Sequence, residues 1–240
     1  MTMIRLGHVA AATALALGST SAFADVTANA GISNNYLWRG LTQTNNEAQV
    51  FGGIDYASAD GGFYIGTWVS NVEYASDDTY SYEHDVYLGW TGGEEDFSWD
   101  VGWLYYNYDD INNIDFHELY GTIGFGGFSV TGYLLTGTEA DEPSPAFDFG
   151  AGQAYYLSLN YAFETEKGLG IGLHAGRHSG DFNEYFNGVP GDYTDYSVSL
   201  SVDNFTLTLS DTDLNDYSPG DNLDNDQMKF VVSYSMEFGL

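Results

Sequence analysis

The chain has 240 residues, with 35 Asp and Glu against 5 Lys and Arg, a formal charge of −30, and no Cys. That balance argues against nucleic acid, and against recruitment by charge to anionic lipid surfaces, since both repel an acidic protein, and the lack of Cys excludes disulfides, thiolate metal sites and cysteine nucleophiles together. Charged residues make up only 17% and aromatics also 17%, whereas soluble domains carry about 25% charge.

A secretory leader is expected over 1–24. Arg5 gives a positive start, Val9 to Leu17 an apolar stretch, and Ala22-Phe23-Ala24 a small-residue cleavage site, leaving Asp25 as the first mature residue. The apolar stretch is far short of the ~20 residues a spanning helix needs, and no later stretch is apolar enough to span as a helix. A mature chain that enters a membrane must therefore do so as strands.

The mature chain, 25–240, supplies them. Tyr155, Leu157, Leu159, Tyr161 and Phe163 alternate with Tyr156, Ser158 and Asn160, and Tyr196, Val198, Leu200 and Val202 with Ser197, Ser199 and Ser201. A period of two held over eight to ten residues marks a strand with one apolar and one polar face. Twelve segments qualify: 26–38, 48–57, 62–72, 80–91, 96–108, 116–125, 128–136, 152–163, 169–178, 192–202, 205–212 and 227–239. Their connections run alternately long and short, with the short ones at 58–61, 92–95, 126–127, 164–168 and 203–204. The long ones are rich in Asp, Asn, Gly and Ser and hold Pro143, Pro145, Pro190 and Pro219. Short periplasmic turns and long extracellular loops alternate in this way in bacterial barrels, whose aromatics gather in interfacial girdles. The expected fold is all-β: a transmembrane antiparallel up-and-down barrel of about 12 strands in the outer membrane of a Gram-negative cell. A soluble sandwich also alternates, but its loop lengths need not, and here the last strand carries Phe230, Val232, Tyr234, Met236, Phe238 and Leu240 to the terminus. That series resembles the barrel-insertion signal, which usually ends in Phe or Trp.

Further residues carry a resemblance. Gly31-Ile32-Ser33-Asn34-Asn35-Tyr36-Leu37-Trp38-Arg39-Gly40, Gly62 to Val72, Glu83-His84-Asp85-Val86-Tyr87-Leu88-Gly89-Trp90 and Asp192-Tyr193-Thr194-Asp195-Tyr196 are similar to the motifs of the TorF-type porin family, the Gcw_chp group of proteobacterial outer-membrane proteins. Asn34-Asn35 stands where a Ser-Asp-like pair belongs. The resemblance implies a barrel of porin type, without an established solute or catalytic residues.

Catalysis needs His beside Ser, Asp or Asn on a reachable face. His84 and His117 fall on the lipid-facing parity, His174 on the lumen parity and His178 near a strand end, none in a nucleophile motif. Asp211-x-Asp213-x-Asn215 opens like a calcium loop, but Asp216 and Asn222 stand where Gly and Glu are required. No enzyme, metal or cofactor is expected. The function expected instead is passive diffusion of small polar solutes or ions, with cations preferred because acids dominate. The other class of function that fits is a plugged structural or adhesion barrel whose acidic loops bind a partner. Besides solutes, the expected partners are outer-membrane lipid and lipopolysaccharide, with divalent cations at acidic loops such as 139–142. Inward parity nominates Tyr87, Tyr106, Tyr120, Tyr156 and His174 as pore lining, with Tyr64, Trp68 and Tyr133 narrowing the lumen. It also places Arg39 at the end of strand one beside Lys229 on strand twelve, facing Glu83, Asp85 and Glu118 across the gap.

Overall fold

The computed structural model describes residues 25–59, 61–74, 81–109, 113–215 and 223–240. The leader expected over 1–24, and Asp216 and Asn222 of the calcium-like stretch, lie outside them.

Twelve strands form one closed antiparallel barrel. They are β1 (Asp25–Ser33), β4 (Gln49–Ala57), β5 (Phe63–Asn71), β6 (Tyr82–Glu94), β7 (Phe97–Tyr108), β8 (Phe116–Phe125), β9 (Phe128–Thr138), β10 (Tyr155–Glu164), β11 (Gly170–Ser179), β12 (Tyr193–Val202), β13 (Phe205–Thr212) and β14 (Lys229–Gly239). Each pairs with its neighbour in sequence, and the sheet closes where β1 pairs with β14, from Thr27 opposite Gly239 to Ser33 opposite Ser233. The two remaining strands, β2 (Leu37–Trp38) and β3 (Leu41–Thr42), form a separate hairpin between β1 and β4. Among the described residues one short helix, α1 (Asp181–Asn187), lies between β11 and β12.

Period-two alternation decides the two faces. Leu157, Leu159, Val198, Leu119 and Phe230 are exposed, while Tyr156, Ser158, Ser199, Tyr120 and Val231, one position away, are buried. The outer face is therefore apolar and the inner one polar and aromatic, the reverse of a soluble core. Rings pack against one another at a tilt along the short-turn end of the outer face, Phe63 against Trp90 at 5.2 Å, Phe128 against Tyr161 at 4.3 Å and Phe205 against Tyr234 at 4.9 Å. Trp103 and Tyr105 lie parallel at 5.9 Å toward the other end. These are the two girdles of a bilayer-spanning barrel, and no described helix is long and apolar enough to cross a membrane. The strands do the crossing.

Eleven of the expected strands fall within a few residues of their observed limits; the first does not. β1 ends at Ser33 instead of running to Trp38. From Tyr36 to Thr44 every side chain is buried, which no strand with one lipid face allows. The alternation of Tyr36 and Trp38 continues the strand pattern by coincidence of spacing. In space the chain leaves the wall and folds inward.

The two faces give a quantitative test. Leu159→Arg or Val198→Arg places a charge on the lipid side and should cost about 2–4 kcal/mol if near the bilayer midplane, while Ser197→Arg on the inner side should be mild. Urea titration of the refolded barrel in lipid measures both, and equal costs would contradict the assignment of faces.

Candidate functional site

The segment between β1 and β4 builds the site. Trp38 pairs with Leu41 across a two-residue turn made of Arg39 (φ 51°) and Gly40 (φ 84°). Two successive left-handed residues match the type I′ turn that suits a tight hairpin. Gly40 is required twice over, because a Cβ there would also stand 2.6 Å from Asp195 Cβ on the barrel wall. The turn is seated by the Tyr193 hydroxyl, which donates to the Arg39 carbonyl at 2.9 Å. Leu41 packs with Val189, Tyr193 and Leu214 in a small apolar cluster.

Polar contacts tie the rest of the segment to the wall and to neighbouring loops. Gln43 N–H donates to the Tyr36 carbonyl at 2.8 Å, and Thr42 N–H to Asn225 Oδ1 at 3.0 Å. The Tyr36 hydroxyl donates to Glu83 at 2.8 Å, and the Tyr108 hydroxyl takes the other oxygen of the same carboxylate at 2.7 Å. Burial first, then the facing Glu83 and Asp85 carboxylates, hold the Tyr36 hydroxyl well above the ordinary phenol value, so it remains a donor. Over the hairpin, Phe182 and Phe186 of α1 each pack on Phe116 at 5.0 Å, and Phe186 also meets Trp38 at 5.9 Å. The loop end of the lumen is thus filled by an aromatic layer.

Arg39 projects from the turn into the middle of this arrangement. Its Nη2 lies 2.5 Å from Glu118 Oε2, with both side chains buried. Its Nη1 faces His178 Nε2 at 3.1 Å. The guanidinium carbon lies 4.2 Å from the Trp38 ring centre, 4.6 Å from Tyr156 and 4.8 Å from Tyr133. Cation–π contacts of this kind strengthen when desolvated. Glu118 is aimed at the guanidinium beside a bulge, because the β8–β9 register shifts between His117 and Glu118, a device that re-aims side chains at functional sites.

The nominated residues fare unevenly. Glu83, Asp85, Glu118, Tyr106, Tyr120 and Tyr156 are buried on the inner face, and His174 joins them, bonded to Tyr156 at 2.9 Å, Asp195 at 2.7 Å and Asn160 at 2.6 Å. Tyr87 shares that face and donates to Asp55. The expected basic wall of Arg39 and Lys229 does not form. Arg39 is carried off β1 by the hairpin and reaches Glu118, whereas Lys229 Nζ donates to Asn46 Oδ1 at 2.7 Å and to the Leu223 carbonyl at 2.5 Å. Two like charges repel, and each takes its own acceptor. His84 and His117 keep their lipid-side positions, each beside a threonine hydroxyl, Thr67 and Thr136, at 2.7 Å.

Comparison with known proteins bears on this geometry. A family described as "Bacterial protein of unknown function (Gcw_chp)" matches residues 16–222. The chain belongs to that family. Among solved structures, this Gcw_chp barrel is similar to a KdgM porin at a TM-score of 0.53 and 12% identity, covering 89% of this chain and 99% of that one. It is similar also to a "KdgM porin in complex with disordered oligogalacturonate", at 0.52 and 11%, covering 90% and 99%. At such identities the likeness is one of fold: a closed, porin-like barrel of the outer membrane. No curated protein matches the chain.

The pore-lining set read from the sequence leaves out His178, Asp195, Asp55 and Asp100. His178 and Asp195 share the inner parity with His174 and Ser199, and Asp55 and Asp100 fall between outward Ile54 and Tyr56 and between outward Trp99 and Val101. Parity could have found all four.

The turn geometry is testable. Gly40→Val forces a branched side chain into left-handed backbone and against Asp195, and should unseat the hairpin at a cost of about 1–3 kcal/mol. Proteolysis of intact cells should then cut within 34–48 while the barrel stays heat-modifiable on gels. Protection equal to that of the native protein would contradict the seating described.

Proposed function

We propose that this Gcw_chp barrel is a narrow, non-enzymatic outer-membrane channel through which small polar solutes and ions diffuse, with cations preferred. One observation carries the reading. The inner face of a sealed, lipid-facing barrel bears Asp55, Glu83, Asp85, Asp100, Glu118 and Asp195, against Arg39 and Lys229 as the Lys and Arg side chains buried there. Charged rings of one sign set the sign of the ion that passes. Twelve strands enclose more than a packed eight-stranded barrel and less than a 16- to 18-stranded porin, and the inward hairpin narrows the passage further. A similar KdgM porin is in complex with disordered oligogalacturonate, a polyanion. The acid excess here supports a different solute, cationic or neutral. The motif around Gly31 to Gly40 supports placing the chain in the TorF-type branch of its family. The surface lies in outer-membrane lipid and lipopolysaccharide, and the acid-rich loop of Glu139, Asp141 and Glu142 attracts divalent cations.

The filled loop end favours a second reading, a plugged structural or adhesion barrel. Planar-bilayer recording separates the two, since only a channel carries current. Replacing Glu83, Asp85 and Glu118 by their amides should lower the cation preference, and neutralising Arg39 and Lys229 should raise it. Reversal potentials unchanged in both sets, with channels open, would place these residues off the path. Absence of current from the refolded native chain would favour the plug.

A further inference from the structure

Arg39 reaches the lumen on a hairpin, yet most of what surrounds its guanidinium belongs to the barrel wall. Tyr133 and Tyr156 stand on β9 and β10, Glu118 on β8 and His178 on β11. Trp38 alone comes with the arginine. The wall therefore presents a seat for a planar cation: two aromatic faces, a carboxylate 2.5 Å from one nitrogen and an imidazole 3.1 Å from another. Guanidinium groups are recognised by this combination of stacking and charge-assisted hydrogen bonds.

A second observation is independent of the first. Asp85 is 1% exposed, and among the described residues its Oδ1 has no hydrogen-bond partner. Its neighbours on the inner wall are satisfied: Glu83 by Tyr36 and Tyr108, Glu118 by Arg39 and Tyr106, and Asp195 by Tyr156 and His174. Buried carboxylates are ordinarily paired. One buried guanidinium from the hairpin thus faces more acid than it neutralises, and the unmatched carboxylate lies on the same inner wall as the seat.

We infer that Arg39 is an internal stand-in for the solute, and that the seat formed by Glu118, Tyr133, Tyr156 and His178, with Asp85 beside it, binds small organic cations bearing a guanidinium or primary ammonium group. The inference rests on the channel reading and names its solute class. Once the arginine gives way, a polyanion or a sugar acid meets the Glu118 and Asp85 carboxylates there without a matching cation. A dication with a guanidinium at one end fits best, one end in the Arg39 seat and the other against Asp85. Entry requires the arginine to give way, so the hairpin sets the threshold for binding.

The probe is agmatine, with glycerol and acetate as neutral and anionic controls, acting on the purified full-length barrel. Arg39→Ala vacates the seat. Agmatine should bind this variant about tenfold more tightly than the native barrel, the size expected for one desolvated cation contact. Binding should show in calorimetry, as a raised unfolding temperature, and as interruptions of the current. Adding Glu118→Gln or Asp85→Asn to Arg39→Ala should weaken it about tenfold. Agmatine that binds Arg39→Ala no better than the native chain, or equally well after Glu118→Gln and after Asp85→Asn, overturns the inference even while the channel conducts. Where Arg39→Ala does not fold, Asp85→Asn in the otherwise native barrel decides. Loss of agmatine-induced interruptions supports the site, and unchanged interruptions overturn it. If no variant conducts, the channel reading fails by itself, and calorimetry on Arg39→Ala still decides whether the seat takes the cation.

Discussion

Closure of the sheet governs everything else in this molecule. In hydrocarbon, an unpaired strand edge leaves a row of N–H and C=O groups with no partner, each costing several kcal/mol. Pairing β1 with β14 from Thr27 to Ser33 removes that edge. Once the sheet is closed, its outer face has to be apolar. All polar and charged side chains on the strands are then gathered into one enclosed space, where they have to satisfy one another. The tyrosine–carboxylate pairs, the His174–Asp195 contact and the buried Arg39–Glu118 pair follow from that confinement.

A buried ion pair is weak support for stability, because taking two charges out of water costs about as much as their attraction returns. Arg39 and Glu118 are better understood as fixing a geometry. Breaking one partner leaves the other charge uncompensated among aromatic rings, so the pair specifies where the hairpin sits more than how firmly the barrel holds. The wall has its own source of cohesion in the continuous ladder from strand to strand.

The wall was legible in the sequence because one physical rule, the two-residue period, applies to each strand independently. Leu157 and Ser158, or Val198 and Ser199, declare their faces without reference to any other part of the chain. The alternation of turn and loop lengths then gives the order of pairing. The hairpin was not legible because no local rule distinguishes it. Tyr36 and Trp38 keep strand spacing, and only contacts with Glu83, Phe116, Phe186 and Asn225 show that the chain has turned inside. Arg39-Gly40 did carry a hint. Gly at the second central position suits a type I′ turn, but Arg is not a favoured first residue there, and in a glycine-rich barrel such glycines are common. The inner carboxylates were legible as inward, and their separate partners were not, since those depend on which loop reaches them.

The sequence distances of these contacts separate the molecule into two layers with different assembly costs. Wall contacts join neighbouring strands, so each requires closing only a short stretch of chain, apart from the single seam. The hairpin instead draws Arg39 to residues 79, 139 and 154 positions away and Thr42 to one 183 positions away. Contacts so remote in the chain form slowly, because the entropy of loop closure has to be met before they return any energy. The wall ladder does not draw on these remote contacts, so the inserted segment is expected to seat after the strands have paired, as a tenant that arrives once the building stands.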